Sequence, residues 1–150
     1  MADIKTPEER SRNMAAIKGK DTKPEMYLRK LLYSKGYRYR KNFSQIPGHP
    51  DIWLAKYRTA IFVHGCYWHR HPGCKYAYTP KSNAGFWASK FDDNVQRDKK
   101  IVAELSFQGI RCLVMWECTL NAMRKNENMA LHTLSEIESF LASDRMYLEI

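Results

Sequence analysis

The chain has 150 residues, a formal net charge of +9, 44% hydrophobic and 13% aromatic residues, and four cysteines. That length suffices for one domain with a self-sufficient core, and the apolar content excludes a disordered chain. The excess of Lys and Arg points to a polyanionic partner, while no apolar run reaches the roughly eighteen residues of a membrane span.

The N-terminus MADIKTPEERSRN lacks the apolar centre of a signal peptide, so a cytoplasmic protein is expected. In a reducing compartment Cys66, Cys74, Cys112 and Cys118 serve as metal ligands or buried thiols more readily than as disulfides. Residues 7–18 carry only a thin apolar stripe, Met14 and Ile17, among many basic residues, which predicts a basic arm over residues 1–23 and a single domain over 24–150. A helix follows in DTKPEMYLRKLLYSKG. Thr22 and Glu25 form a capping box, Pro24 suits the first turn, Leu28, Leu31 and Leu32 supply an apolar face, and Gly36 is a stop.

Tyr37 to Asn42 alternates aromatic and basic residues, and the apolar runs DIWLA and TAIFV, joined at Lys56–Arg58, predict a hairpin. Ala84 to Gln108 reads as a long helix, Ile110 to Trp116 as a central strand apolar on both faces, and Met129 to Leu141 as an amphipathic helix with Leu134, Ile137 and Leu141 aligned. The expected class is α/β, a short mixed sheet flanked by helices.

Three His and two Cys crowd into FVHGCYWHRHPGC, residues 62–74. Zinc takes four N or S ligands in a tetrahedron, so Cys66 and Cys74, one intervening His and the distant Cys118 make a set; the spacing admits either His69 or His71. The alternative is unconnected thiols and surface imidazoles. Cys112, inside an apolar strand, reads as a core residue. Asp51 opens the first hairpin strand and His64 ends the second, which places them side by side and suits Mg2+, a cation that prefers oxygen ligands. HPDIW with IFVH resembles the Pro-Asp...(Asp/Glu)-x-Lys pattern of restriction-endonuclease-like nucleases, with Phe62 in place of the second carboxylate and His64 in place of the lysine. On the long helix Asp98 falls within the stripe Trp87, Phe91, Val95, Val102 and Leu105; a carboxylate there needs a partner, and His64 is the preferred one, with a Lys or Arg the alternative.

RSRNMAAIKGKDTKPE, PGHPDIW, IFVHGCYWHRHPGC, FW...N..RD and VMWEC occur in the order, and near the spacing, of the very-short-patch-repair (Vsr) mismatch endonuclease family, which the chain resembles over residues 10–120. The resemblance implies a restriction-endonuclease-like fold with a structural zinc loop. It also implies Mg2+-assisted nicking 5′ of the thymine in a T·G mismatch arising from 5-methylcytosine deamination. The Mg2+ ligands it implies are Asp51 and the main-chain carbonyl of Val63, which stands where the family more often has Thr. It assigns catalytic roles to His64, His69 and Asp98, with His69 the base, and makes Glu25 a second carboxylate acting through water. Zn2+ falls to Cys66, His71, Cys74 and Cys118, with the last interval one residue longer than in the best-known members. Tyr67 and Trp68, with Met14 of the arm, are expected to form a DNA wedge, core packing being the blander account. The implied partner is double-stranded DNA with a T·G mismatch, with mismatch-repair proteins as further candidates, and the implied enzyme is a monomer at the bacterial nucleoid. The rival readings are a restriction-type endonuclease on paired DNA and a non-catalytic zinc-braced DNA-binding module.

Overall fold

The computed structural model describes residues 21–150. Five strands lie in the order β1 (Arg40–Lys41), β2 (Ile52–Leu54), β3 (Thr59–His64), β4 (Arg111–Trp116) and β5 (Tyr147–Glu149). β1, β2 and β3 pair antiparallel, whereas β3–β4 and β4–β5 are parallel, so the sheet is mixed. The helices are α1 (Lys23–Ser34), α2 (Ala84–Phe107), α3 (Glu117–Lys125) and α4 (Glu127–Ala142).

Strand alternation decides which helix covers which face. Ile52, Leu54, Ile61, Leu113 and Met115 meet Leu28 and Leu32 of α1, Leu120 and Met123 of α3, and Ile137 and Phe140 of α4. Trp53, Ala60, Phe62, Cys112, Val114 and Trp116 point the other way, toward Leu105 of α2 and Cys66. All six residues of β4 are buried; Cys112 to Trp116 are apolar accordingly, and the one charged residue, Arg111, donates to the carbonyls of Phe140, Leu141 and Ser143. Each fully buried Leu or Ile contributes about 1.5–3 kcal/mol, and truncating Ile61 or Leu113 to Ala would cost roughly 2–5 kcal/mol.

Thr22 caps α1 by accepting from the Glu25 amide at 3.4 Å, but the Glu25 carboxylate accepts from the Asp21 amide at 2.7 Å, one residue before the box position. The predicted hairpin is β2–β3, turned by a short 3-10 segment, Ala55–Tyr57, and by Arg58 at φ +46°. Gly48, at φ +82°, lets the loop between β1 and β2 lie against α2 and β3: a Cβ there would stand 2.6 Å from Ile101 Cγ2 and 2.9 Å from Phe62. Along α2 only Phe91 and Leu105 are buried, so the middle of its stripe borders a cleft.

Two elements go beyond the sequence expectations. α3 starts directly at the end of β4 without a capping side chain, and only Leu120 and Met123 of it are buried, a signal too thin for periodicity. β5 is three residues long and half-exposed, and it exists because its backbone pairs with β4. No described helix is long and apolar enough to cross a membrane.

Candidate active site and metal centre

Asp51 stands one residue before β2, and the register Ile52↔Ile61 brings it level with the end of β3. There its Oδ2 accepts from the Val63 amide at 2.7 Å, taking over where the β2 ladder stops. A strand residue's N–H and C=O share one edge, so the Val63 carbonyl turns toward the Asp51 side. Both line a cleft of about 280 Å³ that also takes in Glu25, His64, His69 and Asp98. Burial pushes the Asp51 carboxyl up to about 6, against the Val63 hydrogen bond, and nearby Glu25 raises it further. Burial also pushes His64 down to about 3, helped by repulsion from His69, so its ring is neutral at physiological pH.

His69 reaches the cleft because the segment after β3 turns back on itself, its amide donating to the Gly65 carbonyl at 3.1 Å. Asp98 binds His69 Nδ1 through Oδ2 at 2.7 Å; the expected partner, His64, instead stacks on His69 with centroids 3.9 Å apart and planes 4° from parallel. The turned-back loop slides the His69 ring between α2 and His64, which takes the carboxylate from His64. With the carboxylate on Nδ1–H, His69 keeps Nε2 as an acceptor. Donor atoms of His64, His69 and Asp98 lie within 4.8 Å of one another, near enough to consider a shared metal. Imidazole lone pairs lie in the ring plane, however, and two parallel stacked rings have no common in-plane point. The arrangement suits hydrogen bonding. Glu25 lines the cleft, but its Oε2 is engaged by the Asp21 amide and by Arg29 at 3.3 Å.

The other imidazole of the loop joins the thiols. Cys66 Sγ, His71, Cys74 Sγ and Cys118 Sγ bring four donor atoms within 4.8 Å of one another, and Cys118 Sγ stands 3.4 Å from His71 Nδ1. A tetrahedral zinc with ordinary Zn–S and Zn–N bonds would separate such a pair by about 3.6 Å, so the donors fit that ion. Burial pushes the Cys66 thiol up to about 12; a thiolate there calls for a bound cation. Cys118 comes from the first turn of α3, just past the central strand. Cys112 is buried in β4, away from this cluster, as a core residue.

A model of the DNA mismatch endonuclease Vsr family matches residues 2–75. The chain is 47% identical, over 80% of its length and 85% of the relative's, to the type II nicking enzyme V.NmeAIP of Neisseria meningitidis. It is 39% identical, over 87% of its length and 83% of the relative's, to the DNA mismatch endonuclease Vsr of Escherichia coli. The chain belongs to the Vsr family.

The Vsr match spans Glu25 through Cys74, while Asp98 and Cys118 lie beyond it and join the two sites through α2 and α3. Tyr67 and Trp68 sit outside both core clusters, half-buried. Their rings meet edge to face at 4.8 Å; Tyr67 also meets Phe91 at 5.2 Å and Trp68 meets Trp87 at 6.0 Å, so an aromatic ridge forms along α2. Met14 and the arm up to residue 20 lie outside the described residues.

Three residues not singled out from the sequence hold this architecture. Arg70 donates to the carbonyls of Tyr67, Ala77 and Tyr78 at 3.2, 2.8 and 3.1 Å, tying the loop to itself. Asn94 Nδ2 donates to the Trp68 carbonyl at 3.0 Å. Arg29, buried, donates to the Asp51 carbonyl at 3.2 Å and to Asn42 at 3.2 Å, and pairs with Asp21 at 2.7 Å. Asn94 lies in the FW...N..RD motif and Arg29 one turn after Glu25; for Arg70 the basic composition hid the signal.

Proposed function

We propose that this Vsr-family protein is a DNA endonuclease that nicks one strand on the 5′ side of the thymine in a T·G mismatch by Mg2+-assisted hydrolysis, within a restriction-endonuclease-like fold. The observation that carries the reading is the convergence in one cleft of Asp51 with the Asp98–His69 pair, beside a half-buried aromatic ridge. A DNA-binding module without catalysis has no use for that convergence.

Asp51 and the Val63 carbonyl offer hard oxygen donors, which fit Mg2+; bound there, the ion would polarise the scissile phosphate. His69 takes a proton from the attacking water at Nε2, and Asp98 holds the ring in that tautomer and stabilises the imidazolium. His64, kept neutral by burial, stacks on His69 without adding charge repulsion once His69 is protonated. Glu25 supports the Asp51 side of the cleft as a second carboxylate, acting through water. Cys66, His71, Cys74 and Cys118 would hold Zn2+, whose bonds supply folding energy to the loop that carries His69. Tyr67 and Trp68, with Met14 from the arm, act as a wedge, and selectivity draws on the lower cost of unstacking a mismatched step.

The test is nicking of end-labelled duplexes that carry T·G, T·A and each other mismatch, with and without Mg2+. Cleavage of T·G alone, 5′ of the thymine and dependent on Mg2+, is expected. Equal cleavage of T·A would assign a restriction-type activity, and binding without cleavage a passive module.

A further inference from the structure

Trp116, the last residue of β4, touches a residue of each site. It is 5% exposed, and its indole lies parallel to His71 at 4.2 Å and 9° and edge-on to His64 at 5.4 Å and 71°. His64 in turn stacks on His69, which holds Asp98, so the ring series runs unbroken from the Cys/His cluster to the proposed base.

The indole is held from β5. Trp116 Nε1–H donates to Glu149 Oε1 at 2.6 Å, and Glu149 Oε2 accepts from the Tyr147 hydroxyl at 2.9 Å. Both carboxylate oxygens of Glu149 are engaged within the protein. The β5 backbone that carries Glu149 is itself fixed to β4, Trp116 N–H donating to the Ile150 carbonyl and Ile150 N–H to the Val114 carbonyl, each at 3.0 Å. A cavity of about 370 Å³ opens on this side, bordered by Trp116, Glu149, His64 and His69. The inner side of the indole packs in the core cluster, and on the side that borders this cavity the charge-assisted hydrogen bond to Glu149 holds its rotation.

We propose that Trp116 is a positioning residue for His64 and that Glu149 sets the rotation of its indole, so that β5 and the Cys/His loop together hold the stacked His64–His69 pair in register with Asp98. The inference rests on the proposed function for the roles of His64 and His69. Its physical content is that stacked rings slide past one another easily, whereas a base displaced by about 1 Å loses roughly a hundredfold in rate. An edge-on indole limits the slide of His64.

The experiment uses the full-length, zinc-loaded chain and single-turnover nicking of a T·G duplex by Glu149→Ala, Glu149→Gln and Trp116→Phe, each alone and combined with His64→Ala. Zinc content, duplex affinity and the imidazole NMR signals of His64 and His69 are measured alongside. Glu149→Ala is expected to slow the chemical step about tenfold with zinc and affinity unchanged, a partial share of the roughly hundredfold loss for a fully displaced base, and to shift both imidazole signals. Glu149→Gln, which keeps an acceptor oxygen, restores most of the rate. In the His64→Ala background neither Glu149→Ala nor Trp116→Phe costs anything further. Full-sized losses in both backgrounds, unaltered rates and signals, or zinc loss in Glu149→Ala would each overturn the proposal. Should Trp116→Phe unfold, Glu149→Ala, which leaves every ring in place, decides. If the unaltered chain nicks no duplex, the functional reading fails, and the response of the imidazole signals to Glu149→Ala still judges the coupling.

Discussion

His69 and His71 are two residues apart on one loop and have opposite surroundings. His69 lies in an open cleft among oxygen donors, its Nδ1 on Asp98 and its face on His64. His71 turns its Nδ1 toward Cys118 among three thiols, its face on Trp116. Arg70 between them has φ +56°, a left-handed turn that swings the flanking side chains apart. The cleft is hard, open and able to move a proton; the thiol cluster is soft, complete in its four donors and able to hold structure. Identical side chains thus acquire different chemistry from the donors around them, and the two regions should fail in different ways.

The sharpest separation is Asp51→Ala, expected to lower nicking at least about a thousandfold, since several kcal/mol of phosphate polarisation go with the metal. Zinc content should stay unchanged and duplex affinity nearly so, because Lys and Arg contacts to phosphate dominate binding. Single-turnover rates and elemental analysis check this, and near-normal nicking would place the metal carboxylate elsewhere.

Exchanging the two histidines for alanine tests the comparison directly. His69→Ala should slow the chemical step about 10²- to 10³-fold and keep its zinc. His71→Ala and Cys118→Ala should lose zinc and melt on the order of 10 °C lower, the loss of a structural metal costing upward of about 4 kcal/mol. If the His71 variant stays zinc-loaded and the His69 variant does not, the assignment of the two rings is reversed.

Trp68→Ala should lower nicking of T·G duplexes about 5- to 150-fold, the equivalent of 1–3 kcal/mol of lost base stacking, with zinc retained. Met14→Ala should act in the same direction more weakly, a thioether offering less stacking surface. Undiminished T·G rate and selectivity in a zinc-loaded Trp68→Ala protein would make Trp68 a packing residue of the ridge it forms with Trp87.

The remaining separation is in pH. The buried Asp51 carboxyl titrates near 6, above its ordinary 3.8, so it is protonated in the acidic range and charged above. Mg2+ must displace that proton, and the half-saturating Mg2+ concentration should rise about tenfold for each pH unit below 6 and level off above it. In the cation-free protein the same displacement has the opposite consequence for stability. Between pH 3.8 and 6 the folded state binds more protons than the unfolded, so stability falls as pH rises through that window, by roughly 2–3 kcal/mol in all. Asp51→Asn should flatten both dependences. Metal titrations monitored by calorimetry and denaturant melts across that range measure them.

Several elements were legible along the chain because their signals are local. Thr22, Pro24 and the leucine face announce α1; the apolar runs on either side of Lys56–Arg58 announce β2 and β3; the apolar run 112–116 announces a strand covered on both faces. The placement of Asp51 beside the end of β3 follows from that hairpin, and the candidacy of Cys118 from its place just past the central strand, β4. α3 and β5 were not legible, since one begins without a cap and the other depends on a neighbour's backbone.

Composition and local periodicity therefore determined the charge, the central strands and the long helix, and, together with the resemblance to the Vsr family, the set of residues able to carry chemistry. Tertiary structure decided which of them meet: that Asp98, 29 residues from His69, binds it in preference to His64, that His71 joins the thiols, and that Glu149 reaches Trp116 across 33 residues. Residue type and spacing set what a side chain can do within a turn or two of chain. Its direction depends on a single backbone torsion such as that of Arg70, and its partner on contacts that form only when the sheet is assembled.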